Sequence, residues 1–282
     1  MTSTDPEDRM SRHVWVRRHS PTVRLTHWVN VVCLSILLMS GLQIFNAHPE
    51  LYWGQYGADA DRSFIAIGPD GEDDALRGVT RIGSLSIPTT GVLGASTVNG
   101  ALAGRAFPAW ATIPSYKDLA AGRRWHFFFA WTFVLNGFAY LAYGLFAGHF
   151  RRDLVPAADQ VRPSHLAREV ADHARLRFPK GEEARRYNAL QKLAYCGVIF
   201  LLLPLMVATG LTMSPGFNAV APWLLDVFGG RQSARTIHFI SASLLVAFTI
   251  VHVVMVLVSG VWNNIRSMVT GRYAIDRTGA AS

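Results

Sequence analysis

Ten histidines stand among the 282 residues, and four of them, His27, His126, His238 and His252, lie in or at the edge of long apolar runs. An ionisable ring at membrane depth is costly and by default marks function. His238 and His252 share one run, fourteen residues apart. At about 100° and about 1.5 Å per residue, that separation returns to within about 40° of the same helix face, ~21 Å further along the axis. One face therefore offers an imidazole near each membrane surface. The span directions derived below pair His126 with His238 at one level and His27 with His252 at the other. Zinc takes four nitrogen or sulfur ligands, or three and a water, and two histidines without a nearby cysteine or carboxylate fall short. A haem iron needs only two axial ligands, because the porphyrin supplies four nitrogens. Two neutral imidazoles give a six-coordinate, electron-transferring iron with no open position for oxygen. The sequence has no CxxCH, so attachment is expected to be non-covalent, as in haem b.

Three of the four histidines follow an arginine by three residues: Arg24, Arg123 and Arg235 precede His27, His126 and His238. Helical spacing puts each arginine on the side of its histidine, nearer the membrane surface. Haem propionates need such a polar edge, and a guanidinium suits a carboxylate bidentately. Arg124 competes with Arg123 for that role. Gly41, fourteen residues after His27, falls at the level of the His126–His238 pair, where a missing side chain admits a porphyrin edge or simply close helix packing.

The elements that carry these residues are four apolar runs, at about 26–47, 125–148, 190–213 and 236–262, each near the ~20 residues that cross a bilayer. Apolar residues make up 50% of the chain and charged ones 16%, which excludes a disordered chain. Two cysteines, Cys33 and Cys196, exclude a disulfide scaffold. The net charge of +8 lies between the apolar runs, a membrane pattern that argues against nucleic acid as a partner. Five arginines precede residue 26, the stretch from His149 through Lys192 holds ten basic residues, and three follow residue 262, whereas segment 48–124 carries seven basic and eight acidic residues and segment 214–235 only two basic ones. The positive-inside rule then places both termini and the 149–189 loop in the cytoplasm, with 48–124 and 214–235 outside. The expectation is an all-α protein: a transmembrane four-helix bundle of residues 26–262 in a bacterial inner membrane. Its tails are 1–25 and 263–282, and a long extracytoplasmic loop at 48–124 folds over the bundle. That loop holds an acidic patch of Asp70, Glu72, Asp73 and Asp74, a candidate docking surface. The Arg-rich segment Pro163–Arg186 reads as an amphipathic helix, solvated or lying on anionic lipid. Pro204 is expected to kink the third span.

The motifs RLTHW (Arg24–Trp28), SGLQIF (Ser40–Phe45), WHFFFAW (Trp125–Trp131), RYNALQKLAY (Arg186–Tyr195) and ATGLTM (Ala208–Met213), with the His238/His252 pair, resemble the bacterial cytochrome b561 and Ni,Fe-hydrogenase b-type cytochrome superfamily over residues 12–273. That superfamily includes the membrane subunits of formate dehydrogenase and thiosulfate reductase. The resemblance implies two haems b held by the four histidines, and a quinone site at the cytoplasmic mouth of the third span, on Tyr187, Asn188, Gln191 and Lys192. It implies a membrane electron-transfer subunit, more a conduit than an enzyme in itself. Its partner would be an extracytoplasmic redox subunit such as a molybdopterin oxidoreductase. Two other readings stay open: a self-contained oxidoreductase passing electrons from a small donor such as superoxide to quinone, and a transporter or non-haem metal protein, which would purify colourless.

Overall fold

A segment that is apolar all round its helix has no face to give to water, and in lipid only a helix or a closed barrel satisfies its backbone. The computed structural model describes residues 13–57, 61–72, 75–175 and 188–276. A short strand, β1 (His13–Arg17), precedes helix α1 (Pro21–Phe45). Strands β2 (Glu50–Leu51), β3 (Ile65–Asp70), β4 (Arg77–Ile82), β5 (Leu85–Pro88), β6 (Ala95–Val98) and β7 (Ala101–Gly104) follow, and then α2 (Leu119–Phe146) and α3 (Pro163–Ala174). The third apolar run is α4 (Ala189–Gly197), a π turn at Val198–Leu202 and α5 (Leu203–Thr212). Two short helices, α6 (Pro215–Val220) and α7 (Trp223–Val227), lead to α8 (Arg231–Val258), α9 (Val261–Thr270) and β8 (Arg272–Asp276). Four stretches are long and apolar enough to cross a membrane: Pro21–Phe45, Leu119–Phe146, Ala189–Thr212 and Arg231–Val258. The irregularity expected at Pro204 takes the form of the π turn. Proline has no N–H for the Phe200 carbonyl, and its ring crowds that turn.

The expectation of an all-α chain is corrected in two places. Segment 48–124 contains β-structure, a four-stranded antiparallel sheet in the order β2-β3-β4-β5 and a β6–β7 hairpin. The strands are two to six residues long, too short and too interrupted by Gly and Pro for a period-2 pattern to stand out. One signal was available: Asn99–Gly100 links β6 to β7 with both residues in the left-handed region (φ 51° and 84°), the type I′ turn that Asn-Gly favours. Gly94 closes the fold behind this hairpin. Its φ is +79°, and an added Cβ would lie 2.5 Å from the Gly68 carbonyl oxygen. The second place is the ends of the chain, where β1 pairs antiparallel with β8 from His13↔Asp276 to Arg17↔Arg272.

By its internal contacts the chain forms two compact units, and the boundaries fall within the long helices. One is Met1–Trp28, Gly137–Leu202 and Leu245–Ser282; the other is Val29–Asn136 and Leu203–Leu244. In the second unit, buried Phe45, Leu51, Ile67 and Ala106 pack with Phe64, Leu93, Phe107 and Phe239, which fixes the β-structure to the ends of α1 and α8. Arg105, 4% exposed, donates to the carbonyls of Phe107 and Ser115, to Gln43 Oε1 on α1 and to Thr112 Oγ1. Taking that guanidinium out of water lowers its pKa, but an arginine keeps its charge in proteins.

In the first unit the amphipathic helix ends earlier than the expected Pro163–Arg186; residues 176–187 lie outside the described ones. It is not merely a solvated face. The Glu169 carboxylate accepts from the backbone N–H groups of Ala189 and Leu190 at 3.1 and 2.9 Å, and so caps the start of the third span. A carboxylate on orphan N–H groups also meets the positive end of the helix dipole. Glu169→Ala is expected to cost about 1 kcal/mol locally. Hydrogen exchange at Ala189 and Leu190 should quicken several-fold, while unchanged exchange there would mean that water caps the helix as well as Glu169 does.

Candidate functional site

The four histidines meet in the two expected pairs, and each pair lies within one unit. In the first unit the ring centres of His27 and His252 are 6.4 Å apart, with planes inclined at 58°. In the second unit those of His126 and His238 are 6.4 Å apart at 62°. An imidazole nitrogen bonds a transition metal at about 2.0–2.1 Å, so two rings on opposite sides of one ion have centres about 6 Å apart. Rings joined by a direct N–H···N bond would lie closer, at about 5 Å. Each pair thus has the spacing for a single atom between its nitrogens. Among the described residues no group of three or more His, Cys, Asp or Glu could hold a metal ion. A metal with most of its ligands already supplied is what two imidazoles suit.

The second unit builds its pair on two similar supports. Ser40 Oγ lies 3.0 Å from His126 Nδ1, and Thr209 Oγ1 lies 3.0 Å from His238 Nδ1. The next residue in each case is glycine. A Cβ at Gly41 would sit 3.4 Å from His126 Cε1, and one at Gly210 3.4 Å from His238 Cε1. Gly41 therefore leaves room for an imidazole, a use not foreseen for it. Ser40, Thr209 and Gly210 were not singled out from sequence, although Ser-Gly-Leu at 40–42 and Thr-Gly-Leu at 209–211 repeat one pattern in two spans.

The first unit holds its pair differently. His252 stacks on Phe248 at 5.9 Å and meets the edge of Tyr195 at 6.3 Å. His27 packs edge-on to Trp28, and its Nδ1 is buried with no hydrogen-bond partner among the described residues. Arg24 donates through Nη1 to the Val269 carbonyl at 2.5 Å, but its Nε is likewise buried and unpaired. That unspent donor beside His27 fits a carboxylate. His19 lies close by; burial, and the charges of Arg18 and Arg24 among its neighbours, hold its pKa down to about 4, so it is neutral at pH 7.

The other arginines are placed less openly. Arg235 donates to the carbonyls of Glu50 and His48 and lies over the Phe45 ring, which ties α8 to β2. Arg123 is exposed and lies over Phe127 at 5.5 Å. At the third span, Asn188 Oδ1 accepts from Gln191 N–H as the N-cap of α4. Lys192, 8% exposed, donates to Gln160 Oε1 at 3.2 Å. Both line a cavity of about 360 Å³ with Arg151, Arg152, Pro156 and Asp159. Tyr187 lies outside the described residues, as do Asp73 and Asp74 of the acidic patch. Asp70 of that patch pairs with Arg77 at 3.7 Å.

Residues 18–271 match the family described as prokaryotic cytochrome b561. The chain is also 27% identical over 247 residues to a curated protein of Azospira oryzae, the "putative protein-methionine-sulfoxide reductase subunit YedZ1", an alignment covering 88% of this chain and 93% of that one.

Proposed function

The chain belongs to the prokaryotic cytochrome b561 family, and on that basis we propose that it is a membrane subunit that links an extracytoplasmic oxidoreductase to the quinone pool through two haems b. The observation that carries this reading is the 6.4 Å spacing of both histidine pairs. His27 and His252 hold one haem, and His126 and His238 the other. Haem so ligated supplies a one-electron couple. Burial of the pairs in apolar helices keeps water away, and Arg24 holds a propionate with its unspent Nε donor. Arg235 already serves two carbonyls, so its remaining donors are what it has for the second group.

Both termini face the cytoplasm in this reading, which puts the His126–His238 pair on the outer side with the β-structure of segment 48–124. The relative named as a subunit of a methionine-sulfoxide reductase supports a protein partner. A molybdopterin oxidoreductase docked on the outer segments is the partner we propose. Quinone binds at the cytoplasmic end of the third span, where Lys192 Nζ, with Gln160 at the shared cavity, offers a donor to a quinone oxygen. Gln191 stands one residue before Lys192, and Asn188 helps by fixing the start of the helix that carries both.

The purified chain is expected to be red, with a reduced-minus-oxidised spectrum of bis-histidine haem b and two haems per chain by extraction. A colourless chain would end the reading. Turnover of superoxide by the isolated chain, without a partner, would favour the self-contained oxidoreductase instead.

A further inference from the structure

The two histidine pairs differ in what meets the Nδ1 nitrogens of their rings. Ser40 Oγ donates to the Ile36 carbonyl one turn back at 2.7 Å, and Thr209 Oγ1 donates to the Leu205 carbonyl at 2.7 Å. A hydroxyl has one proton and two lone pairs. With its proton given to the helix, each oxygen can only accept from the imidazole 3.0 Å away. The Nδ1 atoms of both rings therefore carry the proton, and both Nε2 lone pairs are left bare. The glycine after each hydroxyl residue lets the ring lie against its helix, so hydroxyl and glycine together set the ring's tilt. In the other pair, His27 Nδ1 has no such acceptor among the described residues.

On the haem reading of the preceding section, we infer that Ser40 and Thr209 are positioning residues that fix the tautomer of His126 and His238 and make the haem held by that pair the lower-potential one of the two. The physical link is ligand basicity. An imidazole whose N–H is hydrogen-bonded to an acceptor places more electron density on its other nitrogen and favours the more highly charged metal. Ferric iron is stabilised at His126–His238 relative to His27–His252.

The test is a redox titration of the full chain in detergent, with its haem, followed by visible absorbance. Thr209→Val keeps the shape of the side chain and removes the hydroxyl; Ser40→Ala removes the other acceptor. Each is expected to raise the lower of the two midpoints by up to about tenfold in the ferric-to-ferrous equilibrium, 59 mV for one electron, and to leave the upper one in place. Thr209→Ser should titrate as the parent does. Should Thr209→Val lose a haem that Thr209→Ser retains, the hydroxyl is still assigned the positioning role. Midpoints unmoved at full haem content, movement of the upper step, or equal loss in the Val and Ser variants would overturn the inference. A parent chain that binds fewer than two haems would instead overturn the function proposed above.

Discussion

His252→Ala is expected to reduce the haem content of the purified chain from two to one and to abolish its reduction by quinol. The argument is local. His252 faces His27 across 6.4 Å, and a haem held there without a covalent tether would depend on both imidazoles for its place. Alanine removes one of them and opens a void beside Phe248 and Tyr195, whose rings contact His252 in the intact chain. The His126–His238 pair belongs to the other unit, so its haem should remain, with an unchanged spectrum. His149→Ala is the control. That ring is also in the first unit, but its Nδ1 is engaged by Asp153 Oδ2 at 2.7 Å, and both haems should stay. Extraction of haem against protein concentration reads the result. Two haems in the His252 variant would remove His252 from the ligand set.

Arg105→Ala is expected to loosen the β-structure of segment 48–124 by about 3 kcal/mol, because it leaves several buried neutral acceptors without their donor. Four acceptors face this side chain: two carbonyls, Gln43 Oε1 and Thr112 Oγ1. Thr112 Oγ1 donates to the Ala109 carbonyl, so it too depends on an outside donor. Each acceptor left buried and unpaired costs about 1–3 kcal/mol, less in sum than the parts because the loop relaxes. Limited proteolysis should cut the variant within 58–118 at protease levels that leave the parent whole. Arg105→Lys should recover only part of the loss, since one ammonium cannot span four acceptors that a planar fork reaches. A variant as resistant as the parent would mean that the apolar cluster around Phe45 holds the segment unaided.

The spans were legible because the apolar run inside each helix of 24 to 28 residues depends on no partner. The histidine pairs were legible because fourteen residues nearly complete four helical turns, which sets His238 and His252 on one face, and the span directions read from the charges assign each its partner. The β-structure was not, because what fixes it is tertiary: Gly94 against the Gly68 carbonyl, and Arg105 reaching Gln43 on a helix sixty residues earlier. Glu169 was read with the charges of a surface helix, since nothing local shows that the start of another helix lies above it. Ser40 and Thr209 stand in the motifs SGLQIF and ATGLTM without a role that spacing could show, because the rings they meet lie on other helices. Arg235 shows the limit of spacing arguments. Its register with His238 is as read, but two carbonyls between α1 and β3 take its donors first.

The pairing of β1 with β8 also fixes an order of events during synthesis. Residues 13–17 leave the ribosome before any span, and their complement at 272–276 is made only after the fourth. The ribbon therefore closes only after the last of the four spans has been made, as a latch rather than as a nucleus. A chain clipped at Gly271 would keep all four spans and all four histidines yet present Val14 and Val16 on an open strand edge, a template for pairing with another chain.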